Sequence, residues 1–200
     1  MNIKSIYFKD RDGQTPLPAE LHKGLKQKHI QNLGELDEAE ELNFALGLSW
    51  LNNQTKPWAN VDFWKEFHRA CLSDVWDWAG KLRTHELQNE EFDRVWKIQI
   101  DIKELEGNLN FWLKNPEEDV RALIARFHER LLTIHPFANG NGRWSRLLIN
   151  HVTLQLKQSS PTWGRQYELE PKKRRAVYID AVQEARKNGN FKPLISFVWG

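Results

Sequence analysis

The stretch HPFANGNGRWSR, His135 to Arg146, lies between two apolar helical patterns and places a proline, two glycines and two arginines where they meet. Upstream, Val120, Leu123, Ile124, Phe127 and Leu131 recur at steps of three and four, the spacing of one helix face. That helix must stop near Ile134, because Pro136 disfavours helical geometry in His135 and Gly140 and Gly142 break what remains. Its start reads as Asn115 capping, Pro116 in the first turn, and Glu117, Glu118 and Asp119 where the helix dipole favours negative charge. Downstream a new helix begins around Arg143. Leu147, Leu148, Ile149, Val152, Leu154 and Leu156 leave it little polar surface, which suits a central, buried position.

Outward from this junction the period stays helical. Leu42, Leu46 and Trp50, with Ala39, Ala45 and Ser49 beside them, trace one face of a helix ending before Asn52-Asn53. Phe63, Phe67, Ala70 and Cys71 mark another, started near Asn60. Val95, Ile98, Ile102, Leu105, Leu109 and Trp112 give a long amphipathic helix closed by Asn115-Pro116. A last pair holds Tyr178, Ala181, Val182 and Ala185 up to Asn188-Gly189, then Leu194, Ile195 and Val198. Only between Asp77 and Asp93 does the pattern fail, and there a short hairpin is predicted from about Lys81 to Phe92. Residues 1–18 read as an irregular arm with an apolar anchor at Ile6, Tyr7 and Phe8, and residues 19–200 as one all-α domain.

Composition narrows the function classes. Twenty-nine basic and 27 acidic side chains leave a net charge of +2, too weak a field to hold a nucleic-acid backbone non-specifically. The single cysteine, Cys71, excludes an intramolecular disulfide and a thiolate metal site. No signal-peptide core and no run of ~18 apolar residues occurs, so a cytoplasmic protein with no membrane partner is expected.

The junction itself has the parts of an anion cradle. Gly140 and Gly142 permit close backbone approach just ahead of a helix whose first amides lack internal partners, and Arg143 and Arg146 lie three apart on one face. An oligophosphate suits this arrangement, and His135 at the loop's other end can accept a proton near neutral pH. A dinucleotide fingerprint is excluded, since the preceding segment is helical and Ser145 holds the third glycine position. No GxxxxGK[ST] occurs. His128, beside the apolar stripe, reads as hydrogen-bonded structure, and Lys172 to Arg175 as the solvated start of a helix. Most of the ten tryptophans, Trp50, Trp76 and Trp112 among them, stand with core residues and serve packing.

The same segment resembles the motif of the Fic family, HPFx, an acidic residue, then GNGRxxR, and matches it at every fixed position but one. FHRACLSDVWDWAGKLR is similar to the stretch before that family's target-docking hairpin, and YIDAVQEARKNGNFKPLISF to its closing helices. With TPLPAELHKGL and GELDEAEELN near the start, the chain resembles the Fic subgroup called mobile mystery protein B, of mobile genetic elements. The resemblance implies a helical domain with one short β-hairpin flap beside the active-site loop, and a protein adenylyltransferase that moves AMP from ATP to a Ser, Thr or Tyr hydroxyl of a target protein. His135 would be the base, Phe137 the anchor of the loop, and Gly140, Asn141, Gly142, Arg143 and Arg146 the nucleotide-binding residues. The hairpin residues Arg83, Thr84, His85, Glu86 and Leu87 would pair with an extended target segment.

Asn139 is the departure, standing where the family has the acidic ligand of Mg²⁺. A carboxamide keeps an oxygen but loses a charge, so metal affinity should fall. A second reading follows, in which the chain is a nucleotide-binding interaction protein of a mobile element with weak turnover, or transfers a different phosphate-containing group. The family's inhibitory glutamate pairs with the second motif arginine, and the nearest match to its pattern ends at Glu35; a regulatory, antitoxin-like helix-turn-helix partner is the alternative restraint the subgroup implies.

Overall fold

The computed structural model of the chain describes residues 23–87, 91–115 and 119–200. The predicted arm over 1–18 with its anchor, the tip of the predicted hairpin at 88–90 and the first-turn residues 116–118 lie outside them. The described residues form seven α-helices and no strand: α1 Leu33–Asn52, α2 Val61–Leu72, α3 Ile98–Lys114, α4 Val120–Ile134, α5 Asn141–Gln155, α6 Pro171–Asn188 and α7 Lys192–Trp199. None of them is long and apolar enough to cross a membrane. The expectation of an all-α fold holds.

Helix α4 packs against α3, α5, α6 and α7, and α2 bridges α1 to α5. Trp144, Leu147, Leu148, Ile149 and Val152 of α5 are all fully buried, as its apolar sequence demands. The start of α2 follows its cap: the Asn60 side chain accepts from Phe63 N–H at 2.8 Å. At α5, Gly140 takes the cap position with φ 78°, so the helix begins at Asn141, two residues before the expected Arg143.

Three expectations are corrected. The buried face of α1 is Leu36, Glu40, Asn43, Phe44, Gly47 and Leu51, while Leu42 and Leu46 are 71 % and 58 % exposed. Its two polar members have partners, Glu40 in Trp76 and Asn43 in the amide of Asp74, and Gly47 lets α1 close on Cys71, whose Sγ would stand 2.5 Å from an added Cβ. Asn115 closes α3 and does not cap α4: its side chain and its amide both donate to Phe111 O at 3.0 Å, and Asp119 holds the cap position of α4. Between Lys81 and Phe92 the described residues form no strand. Arg83 binds this segment to the motif loop in place of a hairpin partner, its N–H donating to Pro136 O at 2.8 Å.

Candidate active site

Helix α4 ends at His135 in the left-handed conformation, φ 47° and ψ 59°, a geometry uncommon outside glycine. The carbonyls orphaned there are taken by Arg83, whose guanidinium donates to His135 O at 2.8 Å, to Ile134 O at 3.5 Å, to His85 O at 3.1 Å and to Asp93 O. Arg83 is 4 % exposed. It is therefore a clamp on the loop and not a surface contact for a target, whereas Thr84, His85 and Glu86 are exposed and Leu87 half-buried. Arg186 fixes the far limb of the segment, pairing with Glu91 and with the buried Glu129, each at 3.1 Å.

The turn at His135 aims its imidazole. Nδ1 lies 3.2 Å from Leu132 O, an acceptor only, which assigns the proton to Nδ1 and the lone pair to Nε2. Burial pushes the pKa down to about 4, against a weaker pull from that hydrogen bond, and the charges of Arg83 and Arg186 lower it further. The ring of Phe92 stacks on the imidazole, centroids 3.8 Å apart.

From His135 the loop runs over a fixed floor. Phe137 is fully buried, stacked on His68 at 3.7 Å and edge-on to Trp144 at 4.9 Å. Asn141, 1 % exposed, staples this turn: its Oδ1 accepts from Phe137 N–H at 3.0 Å and its Nδ2 donates to Phe137 O at 2.7 Å. Only its backbone is left for a ligand. An added Cβ at Gly140 would meet Leu72 Cδ1 at 2.6 Å, on top of the strain of a positive φ. The amides of Asn141, Gly142 and Arg143 precede the first intrahelical bond of α5, from Trp144 N–H to Gly140 O at 2.9 Å.

The arginines of this helix end have different neighbours. Arg143 donates to Glu40 Oε2 and lies over the Phe44 ring, 4.7 Å from its centroid. Glu40 is 1 % exposed and its other oxygen accepts from Trp76 Nε1 at 2.7 Å. Arg146, 5 % exposed, lies 5.6 Å over the Tyr178 ring, with one guanidinium nitrogen 3.4 Å from where a Gly142 Cβ would sit.

The structure thus brings His135, Phe137, Asn139 to Arg143 and Arg146 into one corner, and leaves Glu35 out of it. Glu35 sits in a capping box: its N–H donates to Asn32 Oδ1 at 2.9 Å and its Oε2 accepts from Gln31 N–H at 2.7 Å. Among the described residues, a carboxylate that does reach a motif arginine is Glu40, five residues further along α1. A glutamate spaced with Leu36, Phe44 and Leu51 was the available signal for it. His68 and Tyr178, which hold the loop and Arg146, look in sequence like ordinary members of apolar stripes.

A Mg²⁺ site is poorly provided for. Among the described residues no group of three or more metal-ligating side chains occurs. The Asn139 side-chain oxygen is uncharged and accepts from Gly140 N–H at 2.7 Å. These residues alone do not make a Mg²⁺ site.

An all-helical domain with a glycine-arginine cradle beside a neutral imidazole is what known proteins also match. Residues 58–153 fit the model of the Fic/DOC family, and the chain carries a Fic/DOC family domain. It is 33 % identical over 101 residues to the protein adenylyltransferase Fic of Aedes aegypti, 49 % of this chain and 19 % of that protein. It is 27 % identical over 170 residues to that of Nematostella vectensis, 82 % of this chain and 38 % of that protein. The chain therefore spans between a fifth and two fifths of the length of these relatives. Among solved structures, the BepC protein of Bartonella tribocorum with bound AMPPNP superposes with a TM-score of 0.64 at 18 % identity, over 86 % of this chain and 88 % of that one. The N-terminal Fic domain of a Bartonella quintana effector with bound ADP gives 0.67 at 19 %, over 88 % and 92 %.

Proposed function

We propose that this protein is a Fic-type adenylyltransferase that transfers AMP from ATP to a hydroxyl of a target protein. The observation that carries the reading is His135, whose Nε2 holds its lone pair beside the amide-rich start of α5. In the reaction the target hydroxyl gives its proton to Nε2 as its oxygen attacks the α-phosphorus. The bond from that phosphorus to the bridging oxygen breaks, and pyrophosphate leaves with the electron pair. The amides of Asn141 to Arg143 and the guanidinium of Arg146 would face the charge that develops on the leaving group. An imidazole with a pKa of about 4 is neutral at physiological pH, so the acceptor is ready. Relatives called adenylyltransferases and Fic structures with AMPPNP or ADP support this reading.

The target's extended backbone would lie along the exposed Thr84, His85 and Glu86. TPLPAELHKGL and GELDEAEELN further support the mobile-element subgroup and, through it, an antitoxin-like regulatory partner, while the single cysteine fits a reducing cytoplasm. Asn139 favours the second reading, a nucleotide-binding interaction protein, because it offers Mg²⁺ no charge. Incubation with α-labelled ATP and Mg²⁺ separates them. Label on protein that disappears in His135→Ala is expected, with stronger labelling and a lower Mg²⁺ requirement in Asn139→Asp. No label in wild type or Asn139→Asp, with measurable ATP binding, would leave only the binder.

A further inference from the structure

Three helices meet behind Arg146 in a buried polar cluster that transfer chemistry leaves without a role. Tyr178 of α6 is 6 % exposed and His128 of α4 1 %. The phenol oxygen is 2.8 Å from His128 Nε2, and the Arg146 guanidinium lies over the phenol ring, 5.6 Å from its centroid. Trp163 and Phe197 wall the cluster, with ring centroids 5.3 Å from His128 and 5.5 Å from Tyr178 respectively.

The direction of the hydrogen bond follows from what each group can do. The phenol has one proton to give, and a neutral imidazole nitrogen can accept it. His128 Nε2 is that acceptor. The imidazole is neutral, since full burial pushes its pKa down to about 3 and the Arg146 charge acts in the same sense. Its proton is then on Nδ1, which has no hydrogen-bond partner among the described residues. A buried, unpartnered imidazole nitrogen is costly, and a leucine in a pocket walled by Trp163 would avoid the cost. Packing alone does not account for the histidine.

We propose that Tyr178, held by His128, is a positioning residue that sets the Arg146 guanidinium toward the outer phosphates of ATP. The guanidinium lies between the phenol ring, 5.6 Å from its centroid, and Gly142 in the first turn of α5, with one nitrogen 3.4 Å from where a Cβ there would sit. An arginine side chain loses substantial rotamer freedom when it is fixed, and a hydrogen-bonded phenol makes that loss before the ligand arrives. The proposal rests on the nucleotide reading above, and the two can fail separately.

Calorimetric titration of ATP and of AMP into wild type, Tyr178→Phe and Arg146→Ala tests it, because AMP lacks the outer phosphates. Tyr178→Phe should weaken ATP about three- to tenfold, the worth of one hydrogen bond, and leave AMP affinity nearly unchanged. The thermal midpoint should fall by a few degrees, because buried His128 Nε2 loses its partner. His128→Gln, whose amide oxygen can accept the phenol proton, should retain more of the ATP preference than His128→Leu. If the preference for ATP over AMP is lost in Arg146→Ala but intact in Tyr178→Phe, the positioning role is wrong and the nucleotide site stands. Equal losses for ATP and AMP in Tyr178→Phe would also overturn it, leaving a packing role. Wild type without any preference for ATP would sink both.

Discussion

His68 and His135 stand at the two ends of the motif loop and share most of what is used to pick out a catalytic base. Each imidazole stacks on a phenylalanine, His68 on Phe137 at 3.7 Å and His135 on Phe92 at 3.8 Å. Each is neutral, with a pKa pushed down chiefly by burial to about 3 and about 4. They differ in valence. Gly80 N–H donates to His68 Nδ1 at 3.0 Å, so the proton is on Nε2, which is 3.0 Å from the Asn139 carbonyl. Both its nitrogens are used in holding the loop. His135 has only Nδ1 used, toward Leu132 O, and no described residue bonds its Nε2. A depressed pKa therefore singles out neither residue; the uncommitted Nε2 lone pair is what favours His135 as the proposed base.

The sharpest way to break the comparison is to exchange the costs of losing each ring. His135→Ala should lower AMP transfer by about 10²-fold or more, the range for a positioned general base, with little change in urea stability. His68→Ala should do the reverse in stability, costing about 2–4 kcal/mol for a buried ring and its two hydrogen bonds. Any loss of transfer should then come through a loosened loop. Single-turnover labelling and urea titration of both variants read this directly. An unstable His135→Ala with normal transfer would undo the distinction.

Acid tests what the rings have in common. His68 and His128 have folded pKa values of about 3 and His135 about 4, all below the ordinary 6.5. Because the folded values are depressed, the unfolded chain binds more protons between pH 6.5 and the folded values, so stability rises with pH across that window and is flat above it. Lowering the pH from 7 to 5 should cost about 1–2 kcal/mol for each buried imidazole. The pH slope should shrink in a His68→Gln variant, measured against its own stability at pH 7. The base itself stays neutral through that range, so transfer should fall with unfolding before it falls by protonation of His135. A stability profile flat from pH 7 to 4.5 would show that the rings are not shielded as their burial implies.

The same contrast between committed and uncommitted groups explains which parts of the molecule were legible in sequence. Helices α4 and α5 bury polar residues too, His128, Glu129 and Thr133 in α4 and Ser145, Asn150 and Thr153 among those of α5. Their apolar residues nonetheless lie on the buried side apart from Leu154, and Pro136 and the two glycines punctuate them. The start of α5 therefore came within two residues, and the break at His135 could be read. Helix α1 could not. Its buried face contains Glu40, Asn43 and Gly47, each satisfied by something distant in sequence, while Leu42 and Leu46 point outward. A pattern that counts only apolar residues therefore selects the wrong face. The Arg83 segment was misread for a related reason, since a buried guanidinium taking loop carbonyls looks, in sequence, like any charged turn residue. In the site, His135 and the cradle were visible because glycine and proline betray backbone geometry; Glu40, His68 and Tyr178 were hidden because their roles depend on which helices meet.

The smallest effect separates the two phenylalanines. Phe92 is half-buried and comes from the Arg83–Asp93 segment, whereas Phe137 is fully buried beneath the loop. Phe92 shields one face of the His135 imidazole, and water admitted there reduces the desolvation that holds its pKa near 4. Phe92→Leu should therefore change transfer at pH 7 by only about two- to fivefold, since an imidazole moved back toward 6.5 is still largely unprotonated there. The acid limb of the pH–rate profile should move upward by a unit or so, toward the ordinary histidine range. Phe137→Leu removes the stack on a histidine with no part in proton transfer, so it should lower stability by about 1–3 kcal/mol and leave that limb in place. Rates measured from pH 4 to 8 with wild type and both variants, divided by the folded fraction at each pH, decide the matter: an acid limb that moves with Phe137 and not with Phe92 would assign the proton to His68.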